Sequence, residues 1–585
     1  MTVLVSVVIL LASSLFIYIL LTLIGLIKKV WLNPIRVQHL MRSQGINGPS
    51  YRFLHGNTKE IISMRRETMG KAMDEISHNI FPRVLPHVHS WAKLYGANFL
   101  NWYGPQAQLV VTEAELVKEI LNNKDENYPK IDLEGYAKKL LGDGLSSSKG
   151  QKWARMRKLA NNVFHAESLK NMIPAMITSV ETMLEKWKEY EGREIEVFEE
   201  FRVLTSEIIS RTAFGSSYME GKNIFDMLMK LTLIVSRNAH KIKFPGISLF
   251  LKSKDEMESE KLEQGIRDCV VQIITKRETE ERFRTDFLGK LLEANQDTDE
   301  NKRISVEDIT DECKTFYFAG HETSTSSLAW TILLLSVHQE WQEKARNEVI
   351  ELFGQSNPSP DGIARLKIIN MIIEESLRLY SPVPAIKRKV EKQVKLGKLT
   401  LPPQTELYIS QLALHHDPNI WGEDVHLFRP ERFEQGIVKA TNNNPVAFLP
   451  FGFGPRTCVG LNFAMTEAKI ALSMILQRYR KLPSSHLATE KWIPPRWRKS
   501  FVYTRHGGAR QGYRSNRNRC GGWCSGRSGG PGSMGHIQVV WELRARTRTT
   551  TPGKMMKAPG RDYYMPRKDF VENPSGYFRD LRGKK

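Results

Sequence analysis

The sequence predicts a mostly α-helical protein with small β-sheets behind one N-terminal transmembrane helix. Three observations lead there. Residues Met1–Ile27 carry no charged side chain. Residues 58–380 repeat apolar positions at helical spacing and hold few alternating stretches. One cysteine lies in a glycine-rich loop that opens into another helical pattern, Phe463–Tyr479.

The apolar run is long enough to cross a bilayer. Some 20 helical residues at about 1.5 Å each cover the roughly 30 Å hydrocarbon core, whereas a cleavable signal peptide has an apolar stretch of only about 7–15. An uncleaved anchor is therefore expected over residues 1–27. No Lys or Arg precedes it, while Lys28, Lys29 and Arg36 follow. The positive-inside bias then places the rest of the chain on the cytosolic side, with the endoplasmic reticulum as the simplest membrane. Trp31-Leu32-Asn33-Pro34 and Gly45-Ile46-Asn47-Gly48-Pro49 punctuate a linker over residues 28–57, because Pro and Gly interrupt helices and favour turns.

Beyond the linker, apolar and charged faces alternate at helical spacing over Ala114–Asn122, Ile173–Tyr190, Arg202–Phe214, Lys261–Glu281 and Trp341–Phe353, with a long run at Val306–Val337. The strand candidates are Phe99–Tyr103, Leu109–Val111, Val394–Leu396 and Glu406–Ile409. No repeat of fixed period is present, which excludes a solenoid. At 585 residues, with 41% apolar and 25% charged residues, the chain is neither a disordered polyelectrolyte nor a multi-span membrane protein. Five cysteines in that length cannot form a dense disulfide scaffold, so a reducing compartment is expected. The net charge of +21 suggests a nucleic-acid partner until it is located. Residues 481–585 hold 23 Lys and Arg against 6 Asp and Glu, leaving 62 against 58 for residues 1–480. The body is nearly balanced, and no nucleic-acid partner is expected.

The sharpest motif is Phe451-Gly452-Phe453-Gly454-Pro455-Arg456-Thr457-Cys458-Val459-Gly460. A metal-bound thiolate needs shielding from bulk water and nearby backbone N–H groups, and glycines let the backbone approach the sulfur. The helix that follows adds favourable potential for negative sulfur at its N-terminus. Glu375-Ser376-Leu377-Arg378 sets an acid and a base three apart on one helix face, followed by Phe428-Arg429-Pro430-Glu431-Arg432-Phe433. Taken alone, such pairs read as solvated surface. Ala319-Gly320-His321-Glu322-Thr323-Ser324 lies inside the long helical run; it fails as a zinc motif because position 325 is Thr rather than a second His. Trp153-Ala154-Arg155-Met156-Arg157 by itself reads as an amphipathic helix with a core Trp.

Taken together, these motifs resemble the cytochrome P450 family. The loop matches every fixed position of that family's signature, Phe-x-x-Gly-x-Arg-x-Cys-x-Gly. The resemblance implies a cytochrome P450 fold around a haem, iron protoporphyrin IX, with Cys458 as axial thiolate and metal ligand, Phe451 in the ligand loop and Arg456 on a propionate. It also implies that Trp153, Arg157 and Arg388 clamp the propionates, and that Ala319 and Gly320 leave room over the haem. Glu322 and Thr323 would relay protons during oxygen activation, and Glu375, Arg378 and Arg432 would form a buried ion-pair network of structural role. Gly320-His321-Glu322-Thr323 and Trp341-Gln342-Glu343-Lys344 further resemble the plant microsomal clan that includes cytokinin and gibberellin hydroxylases. The implied activity is hydroxylation of a small hydrophobic substrate, an isoprenoid or hormone in class. Dioxygen and electrons from NADPH would be used, delivered by NADPH-cytochrome P450 reductase. Two alternatives stand beside it: a P450-type isomerase or dehydratase, against which the Glu322-Thr323 pair argues, and an inactive haem-binding or misfolded derivative.

The resemblance covers about residues 31–480. Family members continue past the last helix through a few strands and a C-terminal hairpin. Here the body, 58–480, is expected to lack them. Residues 481–585 read as a basic, Gly/Arg-rich, disordered tail of altered reading frame or splicing, in which only His536–Trp541 suggests a strand. Cys520 and Cys524 make at most half a metal site. Cys269 and Cys313 read as small buried apolar residues.

Overall fold

One helical path carries the chain from Thr2 to Ser43. An α-helix over Thr2–Ile27 passes into a π-helical turn, Lys28–Leu32, and on into an α-helix over Asn33–Ser43. By length and composition its apolar part can cross a membrane. The helix therefore does not break at Trp31–Pro34, where the sequence suggests a linker begins. Pro34 falls in the first turn of the downstream segment, where a missing N–H is tolerated, and the wide turn lets the Asn33 N–H reach the Lys28 carbonyl. The second cluster does end the helix: Gly45 adopts a left-handed φ of +83° just beyond it.

The computed structural model describes residues 2–71, 77–123, 126–190, 194–238, 252–279, 286–299, 303–482, 501–505, 555–557 and 564–566. Among these, the strands in chain order are β1 (Phe99–Tyr103), β2 (Gln106–Val111), β3 (Glu194–Ile195), β4 (Ala385–Lys389), β5 (Val394–Leu396), β6 (Leu399–Leu401), β7 (Glu406–Ser410), β8 (Tyr479–Leu482), β9 (Phe501–Arg505), β10 (Met555–Lys557) and β11 (Tyr564–Pro566). The main sheet has the order β1-β2-β7-β4, with β2 and β7 parallel and the outer pairs antiparallel. All four strand candidates fall within observed strands. The body boundary drawn at 480 falls inside β8, which pairs with β9, and β9 in turn with β3. This three-stranded sheet supplies strands that the sequence reading leaves out, because pairing across the intervening residues has no local signature. The candidate His536–Trp541 and both tail cysteines lie outside the described residues.

Helices make up most of the body. Val306–Val337 is the central one, a 32-residue helix opened by a reciprocal capping box between Ser305 and Asp308. Most of its residues are buried because it packs against Val197–Ala213, Ile368–Leu379 and Leu461–Arg478. That explains its lack of a wide polar stripe. The helix expected at Ala114–Asn122 is found with those bounds, and those around Ile173–Tyr190 and Arg202–Phe214 form as parts of Ala166–Lys188 and Val197–Ala213.

Candidate active site

The ligand loop is held by its own backbone. Gly452 and Gly454 adopt φ of +75° and +73°, and a Cβ on Gly454 would lie 2.5 Å from the Leu121 carbonyl oxygen, so only glycine fits there. The Cys458 N–H donates to the Phe451 carbonyl at 2.8 Å, and the helix Leu461–Arg478 starts three residues later. Cys458 lines a cavity of about 380 Å³. Burial raises its thiol pKa, while the Gly460 N–H and the positive charge of Arg157 oppose that rise.

The cavity collects residues from distant parts of the chain. Trp153 and Arg157 come from the helix Gly150–Val163, Ala319, Gly320 and Thr323 from the central helix, Arg388 from β4, and Phe451 and Arg456 from the ligand loop. Arg456 stacks over the Trp153 ring at 4.0 Å and donates to the Ser148 carbonyl at 2.8 Å. Arg157 donates to the Thr457 carbonyl. Arg388 is 3% exposed and donates to the carbonyl of its neighbour Lys387. Among the described residues, no acidic side chain forms an ion pair with Arg157, Arg388 or Arg456. Burial, with Arg456 nearby, brings Arg388 down to about 10, and burial with Arg157 nearby does the same to Arg456. Lys130 joins this cluster without having been marked by any motif; burial first, then Arg388 and Arg456, brings it to about 7.

Buried cations without counter-ions are costly, and the cost is relieved by an anion with several acceptor oxygens. Haem carries two propionates and an iron that takes a thiolate, so the donor set around this cavity fits it.

On the central helix, Gly320 runs against Ile209, whose Cδ1 would be 3.0 Å from an added Cβ. Thr323 Oγ1 donates to the Ala319 carbonyl at 2.7 Å. Glu322 is not part of the cavity wall: its Oε1 lies 3.2 Å from His321 Nε2, and the other ring nitrogen of His321 faces the Thr205 and Ser206 hydroxyls at 3.1 and 3.2 Å. A second acid missed by the motifs does line the cavity. Glu467 is buried, accepts from Ser324 Oγ at 2.6 Å, and is pushed up to about 8 by burial. Its position on the helix after the ligand loop is readable from sequence, but its direction is not.

The remaining predicted residues come together away from the cavity. Arg378 grips Glu375 with two hydrogen bonds of 2.7 and 2.8 Å, both side chains being fully buried. Its other donors reach the His415 and Val425 carbonyls at 2.8 Å. Arg432 lies 3.6 Å from Glu375 and donates to the Trp421 and Asp424 carbonyls at 2.7 Å. The guanidinium forks satisfy the carboxylate and four backbone carbonyls between His415 and Val425 at once.

Comparison with known proteins agrees with this geometry. The Cytochrome P450 family model matches residues 82–502. The chain is 60% identical over 476 residues to Cytochrome P450 CYP749A22 of Panax ginseng, covering 80% of this chain and 91% of that protein. It is 41% identical over 465 residues to Cytochrome P450 734A1 of Arabidopsis thaliana, covering 77% and 87%. It is 39% identical over 462 residues to Cytochrome P450 CYP72A616 of Paris polyphylla, covering 77% and 89%. Proteins of this family bind haem through a cysteine thiolate, and this chain belongs to the cytochrome P450 family, among its plant monooxygenases.

Proposed function

We propose that the chain is a membrane-anchored monooxygenase that hydroxylates a small hydrophobic substrate, an isoprenoid or hormone in class, on the cytosolic face of the endoplasmic reticulum. The observation that carries this reading is the convergence on one cavity of a cysteine, three arginines that form no ion pair among the described residues and the Ala319-Gly320-Thr323 wall. One oxygen atom of dioxygen enters the product hydroxyl and the other leaves as water. The two electrons come from NADPH through NADPH-cytochrome P450 reductase.

When bound, haem supplies dioxygen activation and oxygen transfer. Cys458 would offer its sulfur to the haem iron, and the Phe451 carbonyl holds the Cys458 N–H. Arg157, Arg388 and Arg456 would hold the propionates, with Trp153 backing Arg456. Apolar side chains such as Phe164, Ile209 and Phe316 exclude water from the cavity. Thr323 donates to Ala319 at rest, which leaves its lone pairs free to accept from a donor in the cavity. Glu322 would relay a proton taken up from water toward Thr323 once its side chain turns away from His321. Glu375, Arg378 and Arg432 hold the scaffold and take no part in the chemistry.

The reduced carbon monoxide spectrum tests the ligand assignment. The full chain is expected to give a thiolate-type band, and Cys458→Ser to lose it together with NADPH-dependent hydroxylation. A serine variant with an unchanged spectrum would refute the reading.

A further inference from the structure

The Val30 carbonyl lies four residues before Pro34, so the nitrogen that would close an α-helical turn on it has no hydrogen to give. The Tyr51 hydroxyl donates to that carbonyl instead. We propose that Tyr51 seals the proline gap in the anchor helix, fixes the catalytic body to the anchor at one angle, and seats Trp31, Leu32 and Phe53 in the interfacial layer of a lipid bilayer. The proposal rests on reading Thr2–Ile27 as a bilayer span.

Tyr51 is bound to both parts. Its N–H donates to Gln38 Oε1 at 2.6 Å on the helix, and its ring meets Trp102 edge-on with centroids 5.0 Å apart. Trp102 is buried in β1. Further along, Gln44 and Thr400 exchange hydrogen bonds of 3.1 and 2.6 Å, tying the end of the helix to β6. Val30 and Pro34 are themselves buried, so the helix cannot swivel at this point without exposing them and breaking these bonds.

The neighbouring apolar surface is continuous with the span. Trp31, Leu32 and Phe53 are 47%, 52% and 51% exposed, and the Trp31 and Phe53 rings stand 5.0 Å apart. Trp31 lies four residues past Ile27, about 6 Å along the axis at 1.5 Å per residue, beside the exposed Lys28 and Lys29. Lipid is the occupant this arrangement suits, because an indole with flanking cations is stabilised where hydrocarbon gives way to headgroups.

The test uses the full chain in phosphatidylcholine nanodiscs, with amide hydrogen exchange read over residues 28–43. Tyr51→Phe is expected to speed exchange there by about fivefold, the scale of one hydrogen bond. Pro34→Ala restores the missing donor, so Tyr51→Phe in that background should change exchange by less than about twofold. An equal effect of Tyr51→Phe in both backgrounds, or none in either, overturns the seal. Lipids brominated near the headgroup should quench wild-type fluorescence more than that of Trp31→Phe, and equal quenching overturns the interfacial seat. A chain that does not co-elute with the discs overturns the span reading, and the same exchange cycle in detergent micelles then decides the seal separately.

Discussion

A guanidinium buried without a counter-ion opposes folding until an anion arrives, and among the described residues Arg388 has no ion-pair partner. Arg388→Leu is therefore expected to weaken haem retention by about ten- to a hundredfold, from the 1.5–3 kcal/mol of a hydrogen bond to a charged group. The apoprotein should unfold at the same or a higher temperature. Haem titration and thermal unfolding of the apoprotein measure the two effects; unchanged haem affinity would remove Arg388 from the clamp. Histidines give a second test. His78 is held down to about 4 by burial first and then by His338 and Arg378, and His415 to about 3 by burial and then Arg378. The unfolded chain takes up protons first as pH falls below about 6.5. The stabilisation from these two neutral rings is thus complete above that pH and is lost as pH falls toward about 4 for His78 and about 3 for His415. His78→Gln should flatten the loss of urea stability between pH 6.5 and 4; a slope equal to that of wild type would contradict the assignment.

Local elements differ in how much change they tolerate, and two glycines show why. Gly454 combines a left-handed φ with a backbone carbonyl 2.5 Å from an added Cβ, and backbone cannot move aside. Gly320 has no left-handed φ, and an added Cβ would meet the Ile209 side chain, at 3.0 Å from both Cδ1 and Cγ1, rather than backbone. Gly454→Ala should abolish most holoprotein, whereas Gly320→Ala should keep haem and narrow the cavity, read as holoprotein yield and as affinity for imidazole. Similar yields for the two would show that the loop is not locked as described. The π-turn at Lys28–Leu32 is the element where local rules mislead most: Pro34 signals a break, yet an outside hydroxyl supplies the missing hydrogen bond and the helix continues.

Across the whole molecule, the family match ends at residue 502, inside β9, the central strand of the three-stranded sheet. β9 joins β8 to β3, so it ties the end of the body to the segment before Val197–Ala213. A chain stopped after Arg505 should keep full holoprotein yield, while one stopped after Arg478 should lose most of it. Equal yields from both would mean that β8 and β9 contribute nothing to the haem domain.

The amino-acid sequence by itself determined the apolar N-terminal helix, the long central helix and the glycine-rich loop, because each is encoded by local period, hydropathy or glycine content, and it pointed to the candidate arginines through motifs that resemble the family's. Arg456 and Cys458, two residues apart in one motif, are legible in this sense. Only the tertiary structure decided that Lys130 and Glu467 reach the cavity, that Glu322 turns to His321, and that Tyr51 reaches Val30. Those outcomes depend on which rotamer a side chain can adopt once segments far apart in the chain pack together. No local pattern carries that information.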